Sequence, residues 1–341
     1  MTDSLAKAML ALLAEHRVPG LALAVLGGGR ITHARSYGLA DPARPVRVTT
    51  DTLFQAASIS KCLTALAALR LVDQGRLTLD EEVNERLPSW KIPASEFIQG
   101  ERVTVRRLLS HQAGINVHGF AGYAPGQPLP TLAQILNGTP PANNSAIRVD
   151  TIPGTQPRYS GGGYMVLQQL LTDVTGQPFP DLMQEIVLQP LGLNASTFAQ
   201  PLPLSLEKLA ATGHDKNGKP ITGGAHCYPE MAAAGLWTTP SDLARFALGI
   251  QHALAGRPGA ILSPELAREM LMVQAGVYGL GPSITGSGPA RKWFHSGRNA
   301  GFDAVLLVGA ETGKGVVIMT NANVNSQVIN EILKVIGAMT G

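Results

Sequence analysis

The sequence predicts an α+β protein: an antiparallel sheet flanked by N- and C-terminal helices, with a mostly helical subdomain inserted in it. Three observations carry this expectation. Strand–turn–strand successions occur at both ends of the chain, which favours antiparallel pairing. The segment Ser58 to Gln74 is apolar nearly all round, so it belongs in the middle of a core. The 341 residues are 45% hydrophobic and 15% charged, which excludes a disordered polyelectrolyte and allows one large domain or two merged ones. On this division, residues 1–50 and 215–341 form an α/β sheet subdomain and residues 51–214 a mostly helical one.

Taken in order, residues 4–16 carry a helix pattern that Pro19-Gly20 stops. Leu21–Leu26 and Ile31–Tyr37 read as a hairpin around the glycines at 27–29. Ser58–Gln74 is a helix that Gly75 ends. Residues 116–158 are rich in Pro, Gly and Asn, with a short helical piece near Leu132–Leu136; so long a loop in a compact protein is usually functional. Gly163–Thr175 reads as a helix stopped by Gly176. At Thr239-Pro240-Ser241-Asp242 the threonine can cap a helix, the proline suits its first turn, and the aspartate sits at its positive end. Trp293–Gly297, Phe302–Gly309 and Gly315–Asn321 are strands, and Ile329–Met339 closes the chain as a helix.

Several function classes are excluded. Net charge is +3 and basic residues adjoin only in pairs (Arg106-Arg107, Arg291-Lys292), so nucleic acid is not an expected partner. No apolar run reaches the ~18 residues of a membrane span. Met1-Thr2-Asp3-Ser4 shows no secretory signal, so the expected location is soluble: cytoplasmic as it stands, periplasmic or secreted if a signal has been removed. Cys62 and Cys227 make neither a disulfide framework nor a zinc site, and Cys62 reads as a buried, inert thiol. Gly213 to Lys219 has the spacing of a phosphate-binding loop, but Pro220 stands where Ser or Thr would bind magnesium, and Asp215–Gly218 reads better as a tight turn. The nucleophile elbow Gly-x-Ser-x-Gly is absent.

The chemistry concentrates in Phe54-Gln55-Ala56-Ala57-Ser58-Ile59-Ser60-Lys61. At helical spacing Ser58 and Lys61 project from one face. A serine hydroxyl becomes a useful nucleophile when a neighbouring base takes its proton, and a buried lysine can be that base. The helix start offers a free backbone N–H and a positive dipole end to a developing oxyanion. Alone, this spacing also fits a capping serine followed by a solvated lysine. The setting distinguishes the two: Cys62, Leu63, Ala65, Leu66 and Ala67 follow, so Lys61 enters a core.

With two further motifs in order, Tyr159-Ser160-Gly161 and His295-Ser296-Gly297, the chain resembles the serine β-lactamase and penicillin-binding-protein superfamily. It is most similar to the branch of class C β-lactamases, D-alanyl-D-alanine carboxypeptidases, D-aminopeptidases and family VIII esterases. Weaker phrases of the same kind are Leu108-Leu109-Ser110-His111-Gln112-Ala113-Gly114, Pro190-Leu191-Gly192-Leu193 and the run from Leu236 to Leu243. The resemblance covers about residues 5–335. It implies a β-lactamase/transpeptidase-like fold with the active site between the two subdomains, and an acyl-enzyme on Ser58. It further implies that Lys61 shares the Ser58 proton with Tyr159, that Tyr159 is general base and then acid, and that His295 adds to the positive field that a phenol needs for this role. Backbone N–H groups of Ser58 and Arg298 would form the oxyanion hole, and Gly161, Ser296 and Gly297 would line the substrate site. Gly297 is expected to leave the strand open to close approach of substrate.

Two departures narrow the expectation. Gly161 stands where the family has the Asn that helps hold the substrate's amide side chain, which argues against efficient β-lactam turnover. His295 stands where many members have Lys, which points to the esterase and aminopeptidase side. No glutamate presents itself as a deacylating base, so water activation falls to Tyr159. The expected function is ester or small-amide hydrolysis without metal or organic cofactor. The alternatives are a β-lactamase or D,D-carboxypeptidase, and a non-enzymatic penicillin-recognising sensor. The expected partner is a small ester, amide or β-lactam; the oligomeric state stays open. His111 reads as a structural hydrogen-bonding residue, and Tyr123, His226, Tyr228, Trp237 and Phe302 as candidates to line the acyl or leaving-group pocket.

Overall fold

A computed structural model describes residues 2–340, with side chains from residue 6 to residue 337. Among the described residues the strands are β1 (Gly20–Gly27), β2 (Arg30–Asp41), β3 (Val46–Arg47), β4 (Phe54–Gln55), β5 (Trp237–Thr238), β6 (Ser283–Thr285), β7 (Lys292–Asn299), β8 (Phe302–Gly309) and β9 (Gly315–Thr320). Seven of them make an antiparallel sheet in the order β3-β2-β1-β9-β8-β7-β6. The two ends of the chain therefore meet in the middle, where β1 pairs with β9 from Leu21↔Thr320 to Leu26↔Gly315.

The centre of the sheet is buried on both faces, and alternation along β1 shows how. Leu21, Leu23 and Val25 pack with Met9, Leu13, Val328, Ile332 and Ile336 of the terminal helices, Thr2–Glu15 and Ser326–Thr340. Ala22, Ala24 and Leu26 face the larger core, where the helix Ser60–Asp73 sits. This explains why β1 reads as a continuous apolar run, since both sets of alternate residues are covered. The helix Pro240–Leu254 also lies on β1, β2 and β9, with Thr239 Oγ1 accepting the Asp242 N–H at 3.2 Å as its cap.

Two helix starts differ from the sequence expectation. Ser58 does not begin an α-helix: Ala57–Ile59 is a 3₁₀ turn, and the α-helix runs from Ser60 to Asp73. The turn opens at Ala57, which has φ +49°, a left-handed value that costs an alanine energy. The Ser60 hydroxyl holds this turn, donating to Ala57 O at 2.6 Å and accepting from Leu236 N at 3.0 Å. The other helix begins at Gly161 rather than Gly163 and ends at Thr175. Ser160 Oγ caps it through Gly163 N at 2.9 Å, and Gly161 N–H and Gly162 N–H donate outside the helix to His118 O and Val117 O, both at 3.0 Å. The short strands β3 to β6 were not expected. Residues 215–219 form a tight turn: Gly218 N–H donates to Asp215 O at 3.0 Å, and Asp215 Oδ1 accepts from Asn217 N and Lys219 N. No helix among the described residues is long and apolar enough to cross a membrane.

Candidate active site

Ser58, Lys61, Tyr159 and His295 line one cavity of about 700 Å³, together with residues of β7. Ser58 is half-buried on the 3₁₀ turn, and Lys61 lies one turn further at 2% exposure. The Lys61 ammonium donates to Ser58 Oγ at 3.1 Å and to Ala233 O at 2.7 Å. It also lies over the rings of Tyr159 (5.0 Å to the centroid) and Tyr164 (5.5 Å). A buried ammonium is tolerable only when its donors are used, and here a hydroxyl, a carbonyl and two π faces surround it.

Tyr159 is half-buried and held by its neighbours. The His111 ring packs against it at 4.4 Å between centroids, and His118 at 4.9 Å. His111 Nδ1 accepts the Ser160 N–H at 3.1 Å, which pins the peptide following Tyr159 and makes Nε2 the protonated nitrogen. Burial first, then the charge of Lys61, lowers the His111 imidazole well below its ordinary pKa. The same causes push His295 down to about 4. This corrects one expectation: His295 is neutral near neutral pH and adds no positive field to Tyr159. Its Nδ1 is hydrogen-bonded to Ser296 O at 2.7 Å.

The third motif lies on β7, where burial alternates. His295 and Gly297 face inward; Ser296 and Arg298 face the other side of the strand and are exposed. Gly297 lines the cavity and has a packing reason of its own. A Cβ there would lie 2.0 Å from Ala56 O and 3.1 Å from Ala57 Cβ, so the glycine lets β7 lie directly on the nucleophile turn. Asn299 and Phe302 close the two-residue turn to β8 and oppose each other. In such a hairpin the closing pair is hydrogen-bonded and the next is not, so the Arg298 N–H turns away from β8. That edge of β7 is open, because pairing with β6 extends only to Phe294. The Arg298 side chain donates to Asp303 at 2.9 and 2.6 Å and to Val324 O.

The aromatic candidates are elsewhere. Tyr123, Tyr228 and Phe302 are buried away from this cavity, and the Tyr228 hydroxyl accepts from Ala300 N at 2.9 Å. His226 and Trp237 line a second cavity of about 830 Å³ together with Cys227 and Leu202. Burial raises the Cys227 thiol to about 12 and raises that of fully buried Cys62 as well, so neither is a ready nucleophile. Sequence reasoning missed His118, Phe120, Tyr278 and Phe294, which line the cavity with Ser58. It also missed a buried clamp: Asn299 Nδ2 donates to Gln55 Oε1 at 2.8 Å and to Ala234 O at 3.1 Å, while Gln55 Nε2 donates to His226 O at 2.7 Å.

A hydroxyl, a buried ammonium and a phenol thus line one open cavity, with Ser58 and Lys61 in the Ser-x-x-Lys spacing. Comparison with known proteins supplies the family. The family model described as Beta-lactamase matches residues 5–335, and the chain belongs to this family and with it to a superfamily of serine hydrolases. It is 28% identical to "Penicillin-binding protein 4" of Amycolatopsis lactamdurans over 97% of this chain and 88% of that protein. It is 27% identical to "D-alanyl-D-alanine-carboxypeptidase/endopeptidase AmpH" of Escherichia coli over 67% of this chain and 56% of that protein, so it spans little more than half of that relative. Among solved structures, the octameric penicillin-binding protein homologue from Pyrococcus abyssi superposes with a TM-score of 0.76 at 26% identity, covering 94% of this chain and 73% of that one.

Proposed function

We propose that the chain hydrolyses esters or small amides through a covalent acyl-enzyme on Ser58. The observation that carries this reading is the buried Lys61 ammonium 3.1 Å from Ser58 Oγ, on the floor of a cavity. Ser58 Oγ attacks the substrate carbonyl as Tyr159, acting as general base beside Lys61, takes its proton. The oxyanion is received by the backbone N–H groups of Ser58 and Arg298. Its collapse expels the alcohol or amine, which takes the proton from Tyr159, and leaves the Ser58 ester. Water, deprotonated by Tyr159, then cleaves that ester and frees the acid and Ser58. Asp303 is the one carboxylate lining the cavity among the described residues, and Arg298 and Asn323 engage it, which favours Tyr159 as the water-activating base. In this reading the site lies between the sheet subdomain (1–50 and 215–341) and the helical subdomain (51–214).

The charge inventory favours uncharged substrates. Lys61 is committed to Ser58 and Ala233, Arg298 to Asp303 and Val324, and His295 is neutral, so these groups leave little to recognise a carboxylate. A β-lactamase or D,D-carboxypeptidase activity is the second reading, favoured by the names of the relatives. Intact-protein mass spectrometry after p-nitrophenyl esters, D-amino-acid amides and nitrocefin separates the two readings. An adduct on the Ser58 peptide that clears fastest with esters or amides supports the proposal. Fastest clearance with nitrocefin supports the second reading, and full activity in Ser58→Ala overturns both.

A further inference from the structure

The segment from Asn116 to Phe120 lies as a strap across the start of the helix Gly161–Thr175. Hydrogen bonds hold it there: Gly161 N–H to His118 O and Gly162 N–H to Val117 O, both at 3.0 Å, and Ser160 Oγ–H to Asn116 O at 2.7 Å, with Val117 O at 3.4 Å. Gly162 is required for so close an approach, and Gly161 leaves little room for a side chain. A Cβ on Gly162 would meet Asn116 O at 2.6 Å, and a Cβ on Gly161 would meet Phe120 Cε2 at 3.0 Å and His118 O at 3.1 Å. Val117 adopts φ +59°, an unfavourable value for a β-branched residue, so the strap is held in place against local strain. Its effect is to bring His118 and Phe120 into the cavity that contains Ser58.

The edge of the Phe120 ring therefore stands where a side chain at position 161 would stand. The same cavity is lined by Val277, Tyr278 and Phe294. Position 161 offers no side chain to hydrogen-bond a substrate amide, and the ring edge of Phe120 borders that space instead. We infer that Phe120 is the residue that sets acyl-group specificity. It closes the space beside Gly161 with an aromatic wall, so the site takes esters of short, apolar carboxylic acids and disfavours acyl groups that are long or carry an acylamino branch. This inference rests on the hydrolase reading above.

The test compares the unmodified protein with Phe120→Ala and Phe120→Leu on p-nitrophenyl acetate, butyrate and octanoate. One methylene in a hydrophobic pocket is worth roughly tenfold or more in kcat/KM, so removal of the ring is expected to raise the octanoate-to-acetate ratio by about tenfold or more. Leucine should give a smaller rise. Methyl and octyl fluorophosphonates provide a second readout, because the rate of Ser58 adduct formation needs no deacylation. If Phe120→Ala does not fold, the leucine variant carries the test. A ratio within twofold of the unmodified protein in a folded variant, by both readouts, overturns the inference and leaves the hydrolase reading intact. Absence of a Ser58 adduct with every probe overturns the hydrolase reading itself, and the inference with it.

Discussion

Substitution of Asn299 tests whether the site is assembled by the clamp behind it. Asn299 and Gln55 are buried, at 5% and 1% exposure. The Asn299 amide donates to Gln55 Oε1 and Ala234 O, and so ties β7 to the strand before Ser58 and to the turn that carries the Lys61 acceptor, Ala233. Asn299→Ala strands two buried acceptors. At about 1–3 kcal/mol for each unsatisfied group, partly relieved by relaxation, the expected loss of stability is ~3 kcal/mol. With an unfolding entropy of ~2.1 cal/mol/K per residue, a chain of 341 residues gives a drop in Tm of ~4 °C. Catalysis should suffer as well, because Arg298 N and Lys61 Nζ are both placed through this clamp; misplacement on the ångström scale costs on the order of 10–100-fold in kcat, with KM less affected. Asn299→Asp keeps the shape but loses the donor and buries a charge against two acceptors, so it should be at least as damaging at pH 7. The assays are urea unfolding, thermal melting and steady-state ester hydrolysis. A stability change below ~0.5 kcal/mol in Asn299→Ala, with kcat unchanged, refutes the reasoning.

Three further outcomes are expected. Tyr159→Phe should lower turnover by ~100-fold or more if the phenol moves the proton, and a loss below threefold in a kinetic assay removes it from that role. His295 is held at about 4 in the folded protein, against about 6.5 unfolded. The unfolded chain thus binds more protons between these values, so the contribution is full above about pH 6.5 and is lost as pH falls toward 4, by about 3 kcal/mol in total. Urea titrations at pH 7 and pH 4.5 should show this loss, and His295→Gln should flatten it; an unchanged slope in the variant counts against the assignment. Gly297→Ala places a methyl 2.0 Å from Ala56 O, so strand and nucleophile turn must separate; melting and acylation of Ser58 should both collapse, and normal acylation would show that the close approach is not required.

What the sequence revealed, and what it did not, follows the range of the interactions involved. The long strands and helices were legible because their periodicity is local: Phe302–Gly309 matches β8, and Thr239 caps the helix Pro240–Leu254 as its motif implies. The strands β4 and β5 were not, since Phe54↔Thr238 pairs two residues with partners far along the chain. Ser58, Lys61, Tyr159 and His295 were found through spacing and resemblance, and they line one cavity. The cavity walls were not found, because aromatic character in a segment does not say which side it buries. Tyr228 is a post for Ala300 N, whereas Phe120, inside a Pro/Gly-rich loop, is the residue that enters the cavity. One signal was available: three consecutive glycines at 161–163 mark a place where another backbone comes close.

The site's electrostatics follow from a single buried cation. Lys61 keeps its ammonium out of water because Ser58 Oγ, Ala233 O and the faces of Tyr159 and Tyr164 surround it. The same positive charge, added to burial, keeps His111 and His295 neutral. Two imidazoles within reach of the phenol thus cannot compete with Lys61 as cations, and protonating either would place like charges together in a low-dielectric space. With Arg298 held by Asp303, the field at Ser58 comes mainly from one group. Removing that group should therefore do more than delete a donor to Ser58 Oγ: in Lys61→Met the imidazoles lose their opposing charge, and His295 becomes easier to protonate. The pKa of the His295 ring, followed by NMR of its imidazole protons, should rise in Lys61→Met. An unchanged value would mean that burial alone keeps the ring neutral.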